Sequence, residues 1–155
     1  MITKIETIEL PEFYASGITV RTINQNGQSK EDMMALWTQF MADNLIQQID
    51  NKASADIYCF YTDYESDHTG YYTALLGCKV NSLAHLRDGF SGITVPAGEY
   101  QVYSLGGKFP ENVRLAWQEI WNADAKRAYT ADFDLYSAGA KSFEETEVKI
   151  YLAVK

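Results

Sequence analysis

Asp134 stands in the stretch Asp132-Phe-Asp-Leu-Tyr136, an acid set among Phe133, Leu135 and Tyr136. A carboxylate in such company is poorly hydrated, and beside aromatic rings it binds a delocalised organic cation by charge and ring contact together. Burial would also raise its pKa and make it a usable general base, with Tyr136 as a neighbouring proton donor. The competing reading follows from strand alternation: if Phe133 and Leu135 point into a core, Asp134 points to solvent. Trp117 and Trp121 lie four residues apart on one predicted helix face, either in a core or at a cleft edge where an indole N–H finds a partner. Tyr58, Phe60, Tyr61, Tyr64, Tyr71 and Tyr72 crowd a single predicted hairpin, half of them on each face.

Other chemistries lack support in the pattern. His68 and His85 are isolated in turn-like sequence and read as exposed loop residues, so no metal is expected. Cys59 and Cys78 sit inside strand-like runs without CxxC spacing and read as buried, reduced thiols. There is no GxSxG and no complete phosphate loop around Gly106-Gly107-Lys108. No cofactor is predicted.

The elements that must carry these residues come in two similar halves. Trp37 and Trp117 lie 80 residues apart on helical patterns, and Lys79 and Lys155 lie 76 apart at the ends of strand-like runs. At the second offset Tyr58 falls on Asp134 and Phe60 on Tyr136, so an aromatic ring in one half matches the acid in the other. In the first half, Ile5 to Ile23 reads as one extended strand bent at Pro11, followed by turn residues Asn24 to Gly27. Ser29 with Asp32 three positions on reads as a helix N-cap. Met33, Leu36, Trp37, Phe40, Met41 and Leu45 then form an apolar stripe closed by Ile49. Strands follow over 57–64 and 71–80. The second half offers a strand over 92–105 broken at Pro96, a helix from Pro110 with Val113, Ala116, Trp117, Ile120 and Trp121 on one face, and strands over 132–136 and 145–154 joined by 137–144. The expected fold is α+β: a single domain over 1–155 made of two βαββ units, about 1–82 and 90–155. A pseudo-two-fold axis relates them, with an antiparallel sheet, two main helices and a central groove. Tyr58, Phe60, Trp117 and Tyr136 would wall that groove around Asp134.

Composition narrows the partners. The chain of 155 residues is 46% apolar and 22% charged, which is ordinary for a folded domain, while 14% aromatic content with eleven Tyr and three Trp suits ligand walls or interfaces. A net charge of −8 without clustered Lys or Arg argues against direct nucleic-acid binding. No stretch resembles a signal peptide or a membrane span, so the chain is read as cytoplasmic.

Several stretches taken together resemble the GyrI-like small-molecule-binding family, the effector-binding domains of AraC-type and MerR-type regulators that also occur as stand-alone bacterial proteins. They are Tyr71-Tyr-Thr-Ala-Leu-Leu-Gly-Cys-Lys-Val80, Ile93-Thr-Val-Pro-Ala-Gly-Glu-Tyr-Gln-Val-Tyr103, Trp117-Gln-Glu-Ile-Trp121, Asp132 to Tyr136 and Glu147-Val-Lys-Ile-Tyr-Leu-Ala-Val154. The resemblance implies the same tandem fold and groove. It also implies an acid at the position of Asp134, usually Glu in the family, that contacts cationic ligands, and it makes Tyr103 a candidate partner. The sequence begins at the binding domain without a helix-turn-helix segment. The expected function is that of a sensor or sequestering protein for hydrophobic or cationic small molecules. The alternatives are a hydrolase of electrophilic toxic compounds using Asp134 with Tyr103 or Tyr136, and a protein-interaction module such as a gyrase inhibitor. A protein partner or a homodimer is compatible with the abundance of Tyr.

Overall fold

The computed structural model describes residues 2–123, 126–138 and 145–155. Eight antiparallel strands form one open sheet with two helices, α1 (Gln28–Ala42) and α2 (Glu111–Asn122). The strands are β1 (Ile2–Leu10), β2 (Phe13–Ile23), β3 (Ile57–Thr62), β4 (Tyr71–Val80), β5 (Ser91–Val95), β6 (Gly98–Leu105), β7 (Ala131–Tyr136) and β8 (Val148–Ala153). Their order across the sheet is β1-β6-β8-β7-β3-β4-β2-β5. Read from its two ends the order is symmetric: β2-α1-β3-β4 corresponds to β6-α2-β7-β8, and the central pair is β3 against β7. Of the predicted connection over 137–144, residues 139–144 lie outside the described residues.

The N-terminal segment departs from the single bent strand expected. Pro11 ends β1, and the two pieces go to opposite edges, β1 to β6 and β2 to β4 and β5. Pro96 does the same between β5 and β6. Each half thus lends its first strand to the other half's edge. A proline that cannot donate to a ladder is a natural place for a chain to leave one partner and take another. Gly17 of β2 faces Gly77 of β4, and a Cβ on either would collide with the backbone of the facing strand, so this close approach requires both glycines.

Helix α2 forms as its spacing predicts. Val113, Ala116, Trp117 and Ile120 are buried against the sheet, and Glu111 in the first turn suits the positive end of the helix and pairs with Arg114. Helix α1 begins two residues earlier than a cap at Ser29 implies, at Gln28, after Gly27 in a left-handed conformation (φ 73°). Ser29 therefore lies inside the first turn and makes no cap. Leu36 and Phe40 are buried, whereas Met41 is exposed, because the helix stops at Ala42 and a 3₁₀ turn over Leu45–Gln48 returns Leu45 to the core. Each such fully buried apolar side chain contributes about 1.5–3 kcal/mol.

Alternation along the central strands divides the interior in two. On the helix side Cys59 and Tyr136 pack with Ile150, Leu152, Phe40 and Ile120. On the other face Tyr58, Phe60, Leu75, Tyr100 and Phe133 form a second core. Both cysteines are buried free thiols. Among the described residues no helix is long and apolar enough to cross a membrane, and no group of three or more His, Cys, Asp or Glu could hold a metal ion.

Candidate functional site

The parity of β7 places Asp132, Asp134 and Tyr136 on the helix side of the sheet. Asp134 is 0% exposed. Its Oδ2 accepts hydrogen bonds from the Tyr61 hydroxyl at 2.5 Å and the Tyr136 hydroxyl at 3.2 Å, and its Oδ1 accepts one from Trp117 Nε1 at 2.8 Å. Three neutral donors hold the carboxylate. Burial pushes its carboxyl up from the ordinary 3.8 to about 6, against the pull of those hydrogen bonds. Burial, with the adjacent Asp134 charge, drives the Tyr61 and Tyr136 hydroxyls well above their ordinary value, so both remain protonated donors.

The arrangement is pseudo-symmetric. Trp37 of α1 meets Tyr136 edge to face at 5.1 Å, and Trp117 of α2 meets Tyr61 in the same way at 5.3 Å. Tyr61 and Tyr136 are thus counterparts, 75 residues apart, and at that offset Asp134 corresponds to Cys59, directly opposite it in the β3–β7 ladder. The offset of 76 that matched Tyr58 with Asp134 is one residue out of register. A one-residue slip moves a strand's side chains to the opposite face. The acid lies on the axis itself, and its counterpart is a buried thiol whose pKa is raised first by burial and then by Asp134.

Two residues upstream on the same face, Asp132 is also 0% exposed. Its Oδ2 accepts from Arg127 Nη2 at 2.8 Å and from the Tyr64 hydroxyl at 2.6 Å, and its Oδ1 accepts from the Ala153 backbone N–H at 2.8 Å. Burial opposes the charge of Arg127, but Asp132 more than offsets this and holds its pKa above the ordinary value. Burial raises the Asp132 carboxyl, with Arg127 and Tyr64 pulling it back. The pair is ionic and electrically neutral as a unit, and among the described residues no cation is bonded to Asp134.

A groove of about 580 Å³ opens over these residues between the two helices. Ser29, Met33, Met34 and Trp37 of α1 form one side, and Val113, Trp117 and Trp121 of α2 the other. Tyr61, Tyr64, Tyr72 and Tyr136 floor it, Arg127 also lines it, and Lys30, Glu111 and Arg114 of the helices add exposed charges. Asp134 does not reach the groove surface, but the three side chains that hydrogen-bond it do. At the rim His68 is half-buried and stacked on Trp121 (6.1 Å, 7°), rather than an exposed loop residue.

Of the six candidate residues, the structure brings Asp134, Tyr136 and Trp117 together. Tyr58 and Phe60 lie on the opposite face, stacked on each other at 5.4 Å and packed around Phe13 and Phe133. The Tyr103 hydroxyl donates to Gln101 Oε1 at 2.9 Å, and Tyr103 is not among the residues lining the groove. Trp37, Asp132 and Arg127 join the site without having been singled out for it, and of the crowded hairpin aromatics Tyr61, Tyr64 and Tyr72 line the groove. The signal for Asp132 was present: two acids at period two share a strand face, and a buried pair of like charges calls for a cation.

The family model for the integron-associated effector binding protein, Cass2, matches residues 6–154. YobU of Bacillus subtilis (strain 168), a protein named as a candidate transcriptional regulator, is 31% identical over 158 residues, covering 97% of this chain and 96% of its own. Among solved structures, integron cassette protein VCH_CASS2 from the mobile metagenome of Vibrio cholerae is 30% identical, with a TM-score of 0.77 over 99% of this chain and 97% of that one. The protein SAV2435, solved bound to tetraphenylphosphonium, shares the fold with a TM-score of 0.80 at 18% identity, over 99% and 94% of the two chains.

Proposed function

For a chain that belongs to the integron-associated effector-binding family, a GyrI-like domain, we propose a function as a sensor or sequestering protein for aromatic, cationic small molecules held in the groove between α1 and α2. One observation carries this reading. A fully buried carboxylate, Asp134, is held by two phenols and an indole and, among the described residues, by no cation, under a floor of rings. Burying a charge without a partner is costly, and a ligand cation supplies the partner from across the rings while their faces attract it directly. Trp37, Tyr61, Trp117 and Tyr136 are the walls in this account and Asp134 the counter-charge. The tetraphenylphosphonium bound by SAV2435 is a cation of the same kind. Because both oxygens of Asp134 accept hydrogen bonds from protein groups and neither reaches the groove, the geometry supports a counter-charge in preference to a general base, which must touch the proton it removes.

The test is a matched pair of flat probes, N-methylacridinium and acridine, titrated at pH 8 where only the first is charged, with tryptophan quenching as the readout. The proposal predicts binding of the cation that is tighter by about tenfold or more, and in Asp134→Asn a ratio that falls severalfold, to what the ring faces alone supply. Equal binding of the two probes by the wild-type protein refutes it.

A further inference from the structure

We infer that the groove has a second polar pole, at Arg127, that takes a neutral hydrogen-bond acceptor on the same ligand: a carbonyl or amide oxygen carried by the aromatic cation. The inference rests on the cationic-groove reading above and specifies the ligand class further. Arg127 is 6% exposed and lies on the groove wall. Its Nη2 is engaged by Asp132, with Tyr64 at 3.5 Å, but Nε and Nη1 have no hydrogen-bond partner among the described residues. Buried donors of a charged group are seldom left unmatched, and each lacks the water it would have outside. Asp132 does not bond them: its Oδ2 accepts from Arg127 Nη2 and Tyr64, and its Oδ1 from the Ala153 backbone N–H.

The surroundings fix what Arg127 can offer. The Tyr129 ring lies 4.3 Å from the guanidinium carbon, and the Tyr64 and Trp117 rings at 5.8 Å. Tyr129 adopts a left-handed backbone (φ 55°), uncommon for an aromatic residue. With rings against the guanidinium, its unused donors are the in-plane N–H groups at Nε and Nη1, which are themselves buried, so a ligand oxygen reaches them only as the rings that cover them give way. Charge then selects the acceptor. Among the buried charges Arg127 and Asp132 cancel and Asp134 is matched by one ligand cation, so a ligand carboxylate would leave a net negative charge there; Lys30, Glu111 and Arg114 also line the groove but are exposed, where water and salt screen them. A neutral oxygen satisfies the donors and keeps the sum at zero. Trp117 lies between the poles, its Nε1 on Asp134 and its ring near Arg127, so one aromatic ligand lying along it spans both.

The test uses three dyes on one cationic core: tetramethylrosamine, which has no acceptor at the pendant ring, tetramethylrhodamine methyl ester, which adds a neutral carbonyl there, and tetramethylrhodamine, which carries a carboxylate at pH 8. Dissociation constants come from fluorescence anisotropy. The wild-type protein is expected to bind the ester about tenfold tighter than the rosamine, the gain from one acceptor on a charged buried donor. The carboxylate should bind more weakly than the ester. Arg127→Lys keeps the charge opposite Asp132 while removing Nε and Nη1, and should reduce the ester-to-rosamine preference, measured on the same variant, to within about twofold. Equal binding of ester and rosamine by the wild type overturns the inference alone, as does a preference that survives in Arg127→Lys. A carboxylate that binds tightest overturns the neutral-acceptor assignment. Binding of none of the three defeats the cationic-groove reading as well. Should Arg127→Lys fail to fold, the wild-type comparison decides.

Discussion

Replacing Asp134 by Asn should stabilise the ligand-free protein at pH 8 far more than at pH 4. The carboxyl moves from 3.8 to about 6 on folding because burial disfavours its charge. A raised folded pKa contributes stability that is fully present below the unfolded value and is lost as pH rises through the folded one. Above pH 6 the folded state therefore carries a penalty of about 3 kcal/mol, at about 1.4 kcal/mol for each tenfold change in proton affinity. Part of it has already developed at pH 4, so the difference between pH 4 and pH 8 is about 2.5 kcal/mol. The amide has no proton to lose, and it can still accept from Trp117 Nε1. Any fixed cost of fitting an amide between two phenols shifts the curve equally at both pH values. The assay is urea unfolding of wild type and variant at pH 4, 6 and 8. The variant-minus-wild-type stability should rise by about 2.5 kcal/mol across that range, with a melting temperature at pH 8 about 5–10 °C higher than the pH 4 comparison implies. A difference independent of pH, or one that falls as pH rises, refutes the claim that the folded protein holds this charge at a cost.

Tyr61→Phe removes one of three donors to Asp134 and should destabilise the protein by about 1–3 kcal/mol at pH 8, and less at pH 4 where the acid is protonated, as read by the same unfolding curves. Arg127→Met strands Asp132 as an unpaired buried charge and should cost about 3–5 kcal/mol, partly recovered by adding Asp132→Asn. A double mutant no more stable than Arg127→Met would contradict the pairing. Gly77→Ala should destabilise by more than about 2 kcal/mol in thermal melts, since the new Cβ meets the Ser16 carbonyl of β2 rather than a movable side chain.

Much of this architecture could be read from residue spacing, and the failures are instructive. Helix α2 follows from Val113, Ala116, Trp117 and Ile120, and the halves are visible because Trp37 and Trp117 do the same work against Tyr136 and Tyr61. The face of the site was missed because Lys79 and Lys155 suggested an offset of 76, whereas the central ladder pairs Cys59 with Asp134. One residue exchanges Tyr58 and Phe60 for Cys59 and Tyr61. The exchange of β1 and β5 between the halves was hidden for a different reason: an edge strand's sequence states that it pairs, and its partner depends on where the chain returns. Arg127 was invisible because it sits on irregular backbone, tied down by a bridge to Val154, where no periodicity marks which way a side chain turns.

If a cation binds by completing the charge of Asp134, then below the carboxyl's own pKa it must first displace a proton. Titration calorimetry of N-methylacridinium at pH 6, in two buffers of different ionisation enthalpy, counts that proton. With the carboxyl at about 6, binding should release about half a proton per site at pH 6 and close to none at pH 8, and Asp134→Asn should release none at either. Saturable binding at pH 6 with no proton released would contradict the account.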